Sequence, residues 1–289
     1  MHTATHLQGL VQRWVQIPRL SCHGEVAMGR VGAGQGSYGE PRDVEAAPAP
    51  ARGVRAAVRA LWVDACSYDR RALVICLYVP VALTLLEYMF RPSRARYWMP
   101  LTPYLTWAVM PFLWYFSGCL LLMVALPMGL LRTLGVRPRA MGVRLRGTAG
   151  AAPLYGVLYL LAFPTLVWAT TQPAFVVTYP FFRPLGAPWT WDYLLFELMY
   201  CLQFFAVEYF FRGLLTLGLK PTLGRSSVLI MLTPYCMIHF HKPLPEALGA
   251  IGAGWLLGTL AWRTETVIWG WCLHYGVAFT MNMLGLMAR

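Results

Sequence analysis

Glu208 and Arg212 stand four residues apart in Phe204-Phe205-Ala206-Val207-Glu208-Tyr209-Phe210-Phe211-Arg212-Gly213, one of the most apolar stretches of the chain. On a helix, positions i and i+4 share a face, so the carboxylate and the guanidinium can meet directly. An ionisable side chain at membrane depth costs roughly 2.5–3.5 kcal/mol on insertion scales, and one kept there usually has a task. A carboxylate in a poorly hydrated site suits general-base activation of water. The plain alternative is an ion pair in which each group only neutralises the other. His239 and His274 also lie in apolar segments. Imidazoles can donate to a developing oxyanion, or join Glu208 in a two-histidine, one-carboxylate zinc set with an open position. No His-Glu-x-x-His pair fixes two ligands on one helix, which favours a glutamate-type site without a cofactor over a zinc site. Alone, each histidine would pass for a satisfied core residue; together with Glu208 and Arg212 they form a constellation.

The elements that must hold these groups are apolar and long. Hydrophobic residues make up 58% of the 289 and charged residues 12%, against roughly 25% charged in soluble domains. Apolar runs recur along the chain, long enough to cross a hydrocarbon core about 30 Å thick. The fold class expected is all-α: a polytopic transmembrane helical bundle of about seven spans. A net charge of +12 raises the question of nucleic acid, but the arginines are scattered through a tail and short loops. They form no basic stripe interleaved with aromatics, so nucleic-acid binding is not expected and membrane lipid is. Seven cysteines without a Cys-x-x-Cys pair indicate neither a disulfide framework nor a zinc knuckle.

Residues 1–55 are rich in Gly, Ala, Pro and Arg, and Ala46-Ala47-Pro48-Ala49-Pro50-Ala51 reads as a flexible linker. A disordered tail over 1–55 is expected, followed by N-terminal transmembrane helices and a basic loop over 56–152, then a core over 153–289. Spans are expected at about 72–90, 104–131, 153–171, 190–211, 226–240, 246–262 and 266–287. Glu87 closes the first, where an interfacial arginine can neutralise it, and Pro111 and Pro127 are expected to kink the second. Glu197 precedes Glu208 by three helical turns, so the two share a face roughly 16 Å apart, too far to act on one bond. Gly254 and Gly258 give the sixth span a spacing for close helix packing. Lys and Arg, compared on alternate sides, place the N-terminus in the cytoplasm.

Glu208-Tyr209-Phe210-Phe211-Arg212-Gly213, then Tyr235-x-x-x-His239 with Lys242-Pro243 and Glu246, then His274, resemble the three motifs of the CAAX-protease and bacteriocin-processing (CPBP, Abi/Rce1-like) family of intramembrane proteases. The likeness covers about residues 190–285. It implies Glu208 as the water-activating base or ligand, Arg212 as its orienting partner, and His239 and His274 as oxyanion donors or metal ligands. It also implies a bacterial inner (cytoplasmic) membrane location. Two positions depart from the pattern. Val207 stands where the family commonly has a leading glutamate, and Ala278 where it commonly has an amide or acid four residues after the last histidine. Asn282 is the nearest amide and the candidate helper in its place. His241 is a spare imidazole two residues beyond His239.

The expected activity is hydrolysis of a peptide bond near the membrane surface, in a lipidated or C-terminally anchored protein substrate. A sorting peptidase that trims C-terminal membrane tails is a close variant. From other classes, a catalytically inactive scaffold or immunity factor of the same fold would explain Val207, and a small transporter would use Glu208 and the histidines as a proton relay. No internal repeat supports the transporter.

Overall fold

The apolar runs fold as helices in a computed structural model that describes residues 53–98, 108–183 and 190–287, with no strand among them. The expected tail lies almost wholly outside the described residues. Eight helices matter here: α1 (Val54–Ser67), α2 (Arg70–Phe90), α3 (Met110–Thr133), α4 (Ala149–Ala169), α5 (Trp191–Leu223), α6 (Ser226–Met237), α7 (Leu244–Thr264) and α8 (Ile268–Met287). Five of them, α2, α3, α4, α5 and α7, are long and apolar enough to cross a membrane. The protein is an integral membrane protein. The count of about seven spans is not confirmed. α6 has 12 residues, about 18 Å of helix, and α8 has the length but carries His274 and Asn282 among its 20 residues.

Prolines shape the long helices. Each π-helical stretch, Leu86–Phe90, Leu120–Ala125 and Tyr209–Leu217, is followed closely by a proline: Pro92, Pro127 and Pro221. A proline ring crowds the carbonyl four residues back and leaves it without a donor. For Pro127 and Pro221 those carbonyls belong to Met123 and Leu217, inside the π stretches, so the helix widens there; at Pro92 the chain has already left the helix, Arg91 being extended. Pro127 thus marks a widened turn in α3. Pro111 instead sits in the first turn of α3, where its missing N–H costs nothing.

α5 is the axis of the bundle and its most buried span. Thr190 starts it by accepting from the Tyr193 amide. Its first half packs against α3 and α8, its π-helical half against α6 and α7, and α4 covers α8 from outside. A Cβ on Gly254 would lie 2.7 Å from the Tyr235 ring and one on Gly258 2.6 Å from Met231, so this spacing is what lets α7 lie against α6. At one end of the bundle Glu265, in the turn between α7 and α8, meets Lys220 at 2.7 Å and Arg144 at 3.8 Å. The hydrogen bond from Lys220 holds the Glu265 carboxyl below its ordinary range. At the other, Arg91 meets Glu87 at 2.8 Å, as the sequence suggested.

Gly254→Leu is expected to force Tyr235 aside, an overpacking cost of about 1–3 kcal/mol. Gly252, whose added Cβ meets nothing within 4 Å, is the control. Melting in detergent should fall for Gly254→Leu and stay near the parent for Gly252→Leu.

Candidate active site

Glu208 is the last α-helical residue before the π stretch of α5, and Arg212 lies one turn on, inside that stretch. Both are fully buried. Arg212 Nη1 lies 3.1 Å from Glu208 Oε1, close enough for an ion pair yet not aligned as a hydrogen bond. The same carboxylate oxygen accepts a hydrogen bond from His274 Nδ1 at 2.8 Å. A carboxylate can only accept, so Nδ1 carries the proton and Nε2 is the free position of the ring. His239 is held the same way: its Nδ1 donates to the Tyr235 carbonyl at 2.9 Å. Both imidazoles therefore present Nε2 outward from their anchors, as an acceptor when neutral and a donor when protonated.

Tyr235 joins the parts. Its ring lies 4.0 Å under the Arg212 guanidinium, 4.8 Å from the His239 ring and 6.3 Å from the His274 ring. Phe204 closes against His274 at 4.6 Å, edge to face. Desolvated cation–π contact of this kind is worth up to about 2 kcal/mol. It replaces part of the hydration Arg212 has lost. Glu208 Oε2 and the Arg212 Nε and Nη2 atoms have no hydrogen-bond partner among the described residues. Oε2 faces the backbone of Gly270, where an added Cβ would stand 2.8 Å away. Gly270 is not among the residues that the sequence singles out, and Tyr235 enters there only as the start of the Tyr235-x-x-x-His239 motif, with no role of its own. An aromatic four residues before His239 and a glycine four before His274 were the only signals.

Glu208, Arg212, His239 and His274 are thus brought to one place, around Tyr235. Asn282 is not. Its Nδ2 donates to Glu197 Oε1 at 2.9 Å and its Oδ1 accepts from the Phe181 amide at 3.3 Å. Glu197 also accepts from Tyr193 at 2.8 Å and Tyr275 at 3.3 Å. The two carboxylates of α5 do share a face, since both reach α8, but each has its own set of partners. Val207 packs into the main apolar cluster and Ala278 into the aromatic one around Phe196. His241 is exposed beyond the end of α6. Lys242 is bound to Glu246 at 3.0 Å and donates to the Tyr179 hydroxyl at 3.1 Å, while Tyr179 donates to Glu246 at 2.8 Å.

Glu208 Oε1 is engaged by His274 and Arg212, and the described residues contain no group of three or more His, Cys, Asp or Glu side chains placed to hold an ion. As arranged, these residues do not fit zinc.

Residues 188–280 match the family described as type II CAAX prenyl endopeptidase Rce1-like. The match takes in Glu208, Arg212, His239 and His274 and stops short of Asn282. No curated protein and no solved structure matches the chain.

Gly270→Ala and Gly276→Ala separate helix propensity from space at the carboxylate. Alanine in place of a helical glycine gains about 0.5–1 kcal/mol, and at Gly276 the new Cβ makes ordinary contact with Tyr159 at 3.5 Å. At Gly270 it meets an oxygen whose carboxylate is tied on its other side, so the overpacking cost of about 1–3 kcal/mol outweighs the gain. Gly276→Ala should melt at or above the parent temperature in detergent, and Gly270→Ala below it.

Proposed function

With an Rce1-like domain at residues 188–280 as the premise, we propose that this protein is an intramembrane endopeptidase. It hydrolyses a peptide bond close to the membrane surface in a lipidated or C-terminally anchored protein. The observation that carries the reading is one fully buried carboxylate, Glu208, held on one oxygen by His274 and Arg212 and unpartnered on the other.

In this reading Glu208 Oε2 takes a proton from water as the oxygen attacks the scissile carbonyl. The carbon–oxygen bond forms, the carbonyl π electrons move to oxygen, and the resulting oxyanion is met by Nε2–H of His274 in its protonated form, while His239, whose burial favours the neutral ring, offers Nε2 as an acceptor. Collapse breaks the carbon–nitrogen bond, and the proton held by Glu208 passes to the departing amine. Arg212 supplies a fixed positive charge beside Glu208 that orients it between turnovers. Asn282 has no step here; its contribution is to hold Glu197 and through it the pairing of α5 with α8. The N-terminus is assigned to the cytoplasm of a bacterial cell.

The inactive scaffold is the second reading. It is favoured by Val207 and Ala278, which fill the two motif positions with side chains packed in apolar clusters. Glu208→Gln decides between them, provided cleavage is expressed per folded molecule, because the change also leaves Arg212 without its counter-ion. Tyr193→Phe removes one donor from Glu197, far along α5, and calibrates a loss of stability alone. Reporters carrying a prenylated C-terminus or an apolar C-terminal tail serve as substrates. Loss of a general base should lower cleavage per folded molecule about 100- to 10,000-fold, while Tyr193→Phe keeps it within a few-fold. No cleavage of either reporter by the parent would leave the scaffold, whereas equal cleavage by Glu208→Gln would remove Glu208 from the mechanism.

A further inference from the structure

Among the described residues, no part of the bundle packs over α1. Its 14 residues contain none that is buried, and Val54, Val58, Leu61 and Trp62 are 60–80% exposed. At about 21 Å it is too short to cross a bilayer. At 100° per residue, Val54, Val58, Leu61, Trp62 and Ala65 fall within an arc of about 100°, with Arg55 and Arg59 along one edge. Arg55 and Arg59 line a shallow cleft with Val54, Val58 and Trp62. Asp64 is the only acidic residue of the helix.

Its position is fixed by the chain. Only Tyr68 and Asp69 separate α1 from α2, and the Asp69 side chain caps α2 by accepting from the Ala72 amide at 2.8 Å. Asp69 also accepts from Thr222 at the end of α5, at 3.2 Å, so the junction is tied to the bundle. The helix therefore leaves the bundle at the level where a membrane span begins, beside Arg70 and Arg71. A short helix with an apolar stripe, an aromatic at the stripe's edge and arginines beside it matches a bilayer interface: acyl chains below, anionic headgroups alongside.

We propose that α1 lies in the plane of the membrane, with Val54, Val58, Leu61 and Trp62 in the acyl boundary and Arg55 and Arg59 on anionic lipid headgroups. The inference depends on insertion of the bundle in a bilayer and not on the proteolytic reading.

The test uses the full-length protein with its native cysteines replaced and single nitroxide labels at Ala56→Cys, Val58→Cys, Ala60→Cys or Leu61→Cys. It is reconstituted in phosphatidylcholine vesicles with or without phosphatidylglycerol. With the anionic lipid present, labels at 58 and 61 should collide more with oxygen than with a water-soluble nickel chelate, and labels at 56 and 60 the reverse. Arg55→Glu with Arg59→Glu should shift 58 and 61 toward the chelate in those vesicles. Four results would overturn the proposal. These are chelate access at all four positions, shielding of 58 and 61 from both reagents by another part of the protein, and spin–spin broadening from a second copy. The fourth is oxygen access indifferent to both anionic lipid and charge reversal.

Discussion

The contact on which the rest depends is the pairing of Glu208 with Arg212 out of reach of water. Removing either ion from water costs several kcal/mol even after relaxation, and their mutual attraction repays it only with good geometry and further partners. The surroundings of the pair supply those partners. His274 donates to Glu208 from α8, Tyr235 stacks under Arg212 from α6, and Gly254 on α7 makes room for Tyr235. Three helices therefore have their places fixed, directly or through one neighbour, by two charges on a fourth. That dependence explains why small residues recur at these contacts. Gly270 and Gly254 are both positions where a methyl group would collide with the arrangement around the pair.

Stability and chemistry draw on the same atoms, which complicates any mutation at the site. Replacing either charge removes both a mechanistic group and the compensation of a buried ion. For that reason the second carboxylate is informative. Glu197 sits on the same helix face with three side-chain donors on its two oxygens, a saturated arrangement that suits a structural clamp. Glu208 keeps one oxygen unpartnered, and an unsatisfied buried acceptor is costly to keep unless something uses it. The contrast between a satisfied carboxylate and an open one, on a single helix, separates a clamp from a reactive group better than burial does.

Much of this was legible in the residues. The i, i+4 spacing of Glu208 and Arg212 fixed their meeting because it depends only on helical geometry, and the apolar flanks fixed their burial. His239 and His274 were legible as polar groups in apolar segments that needed partners, though not whose partners they were. What the sequence did not disclose is what tertiary packing decides. Asn282 was assigned by its proximity in sequence to His274, while its real neighbour, Glu197, lies far back in the chain. Tyr235 is legible as the start of the His239 motif, but not as the ring on which the arginine stacks. The apolar stripe of α1 is short and interrupted by alanines, too weak a periodic signal beside the long runs that follow. The widened turn around Arg212 was readable in principle, from Pro221, once the carbonyl four residues back is considered.

The coupling of the two charges is measured most directly by a double-mutant cycle on stability, with Glu208→Gln, Arg212→Gln and the double variant melted in the same lipid mixture. Leaving one buried ion without its partner costs about 3–5 kcal/mol, whereas neutralising both removes that penalty. The double variant is therefore expected to melt above Arg212→Gln, the single change that strands a carboxylate. If the two losses simply add, Glu208 and Arg212 do not sustain one another, and the buried pair is not what the bundle is built around.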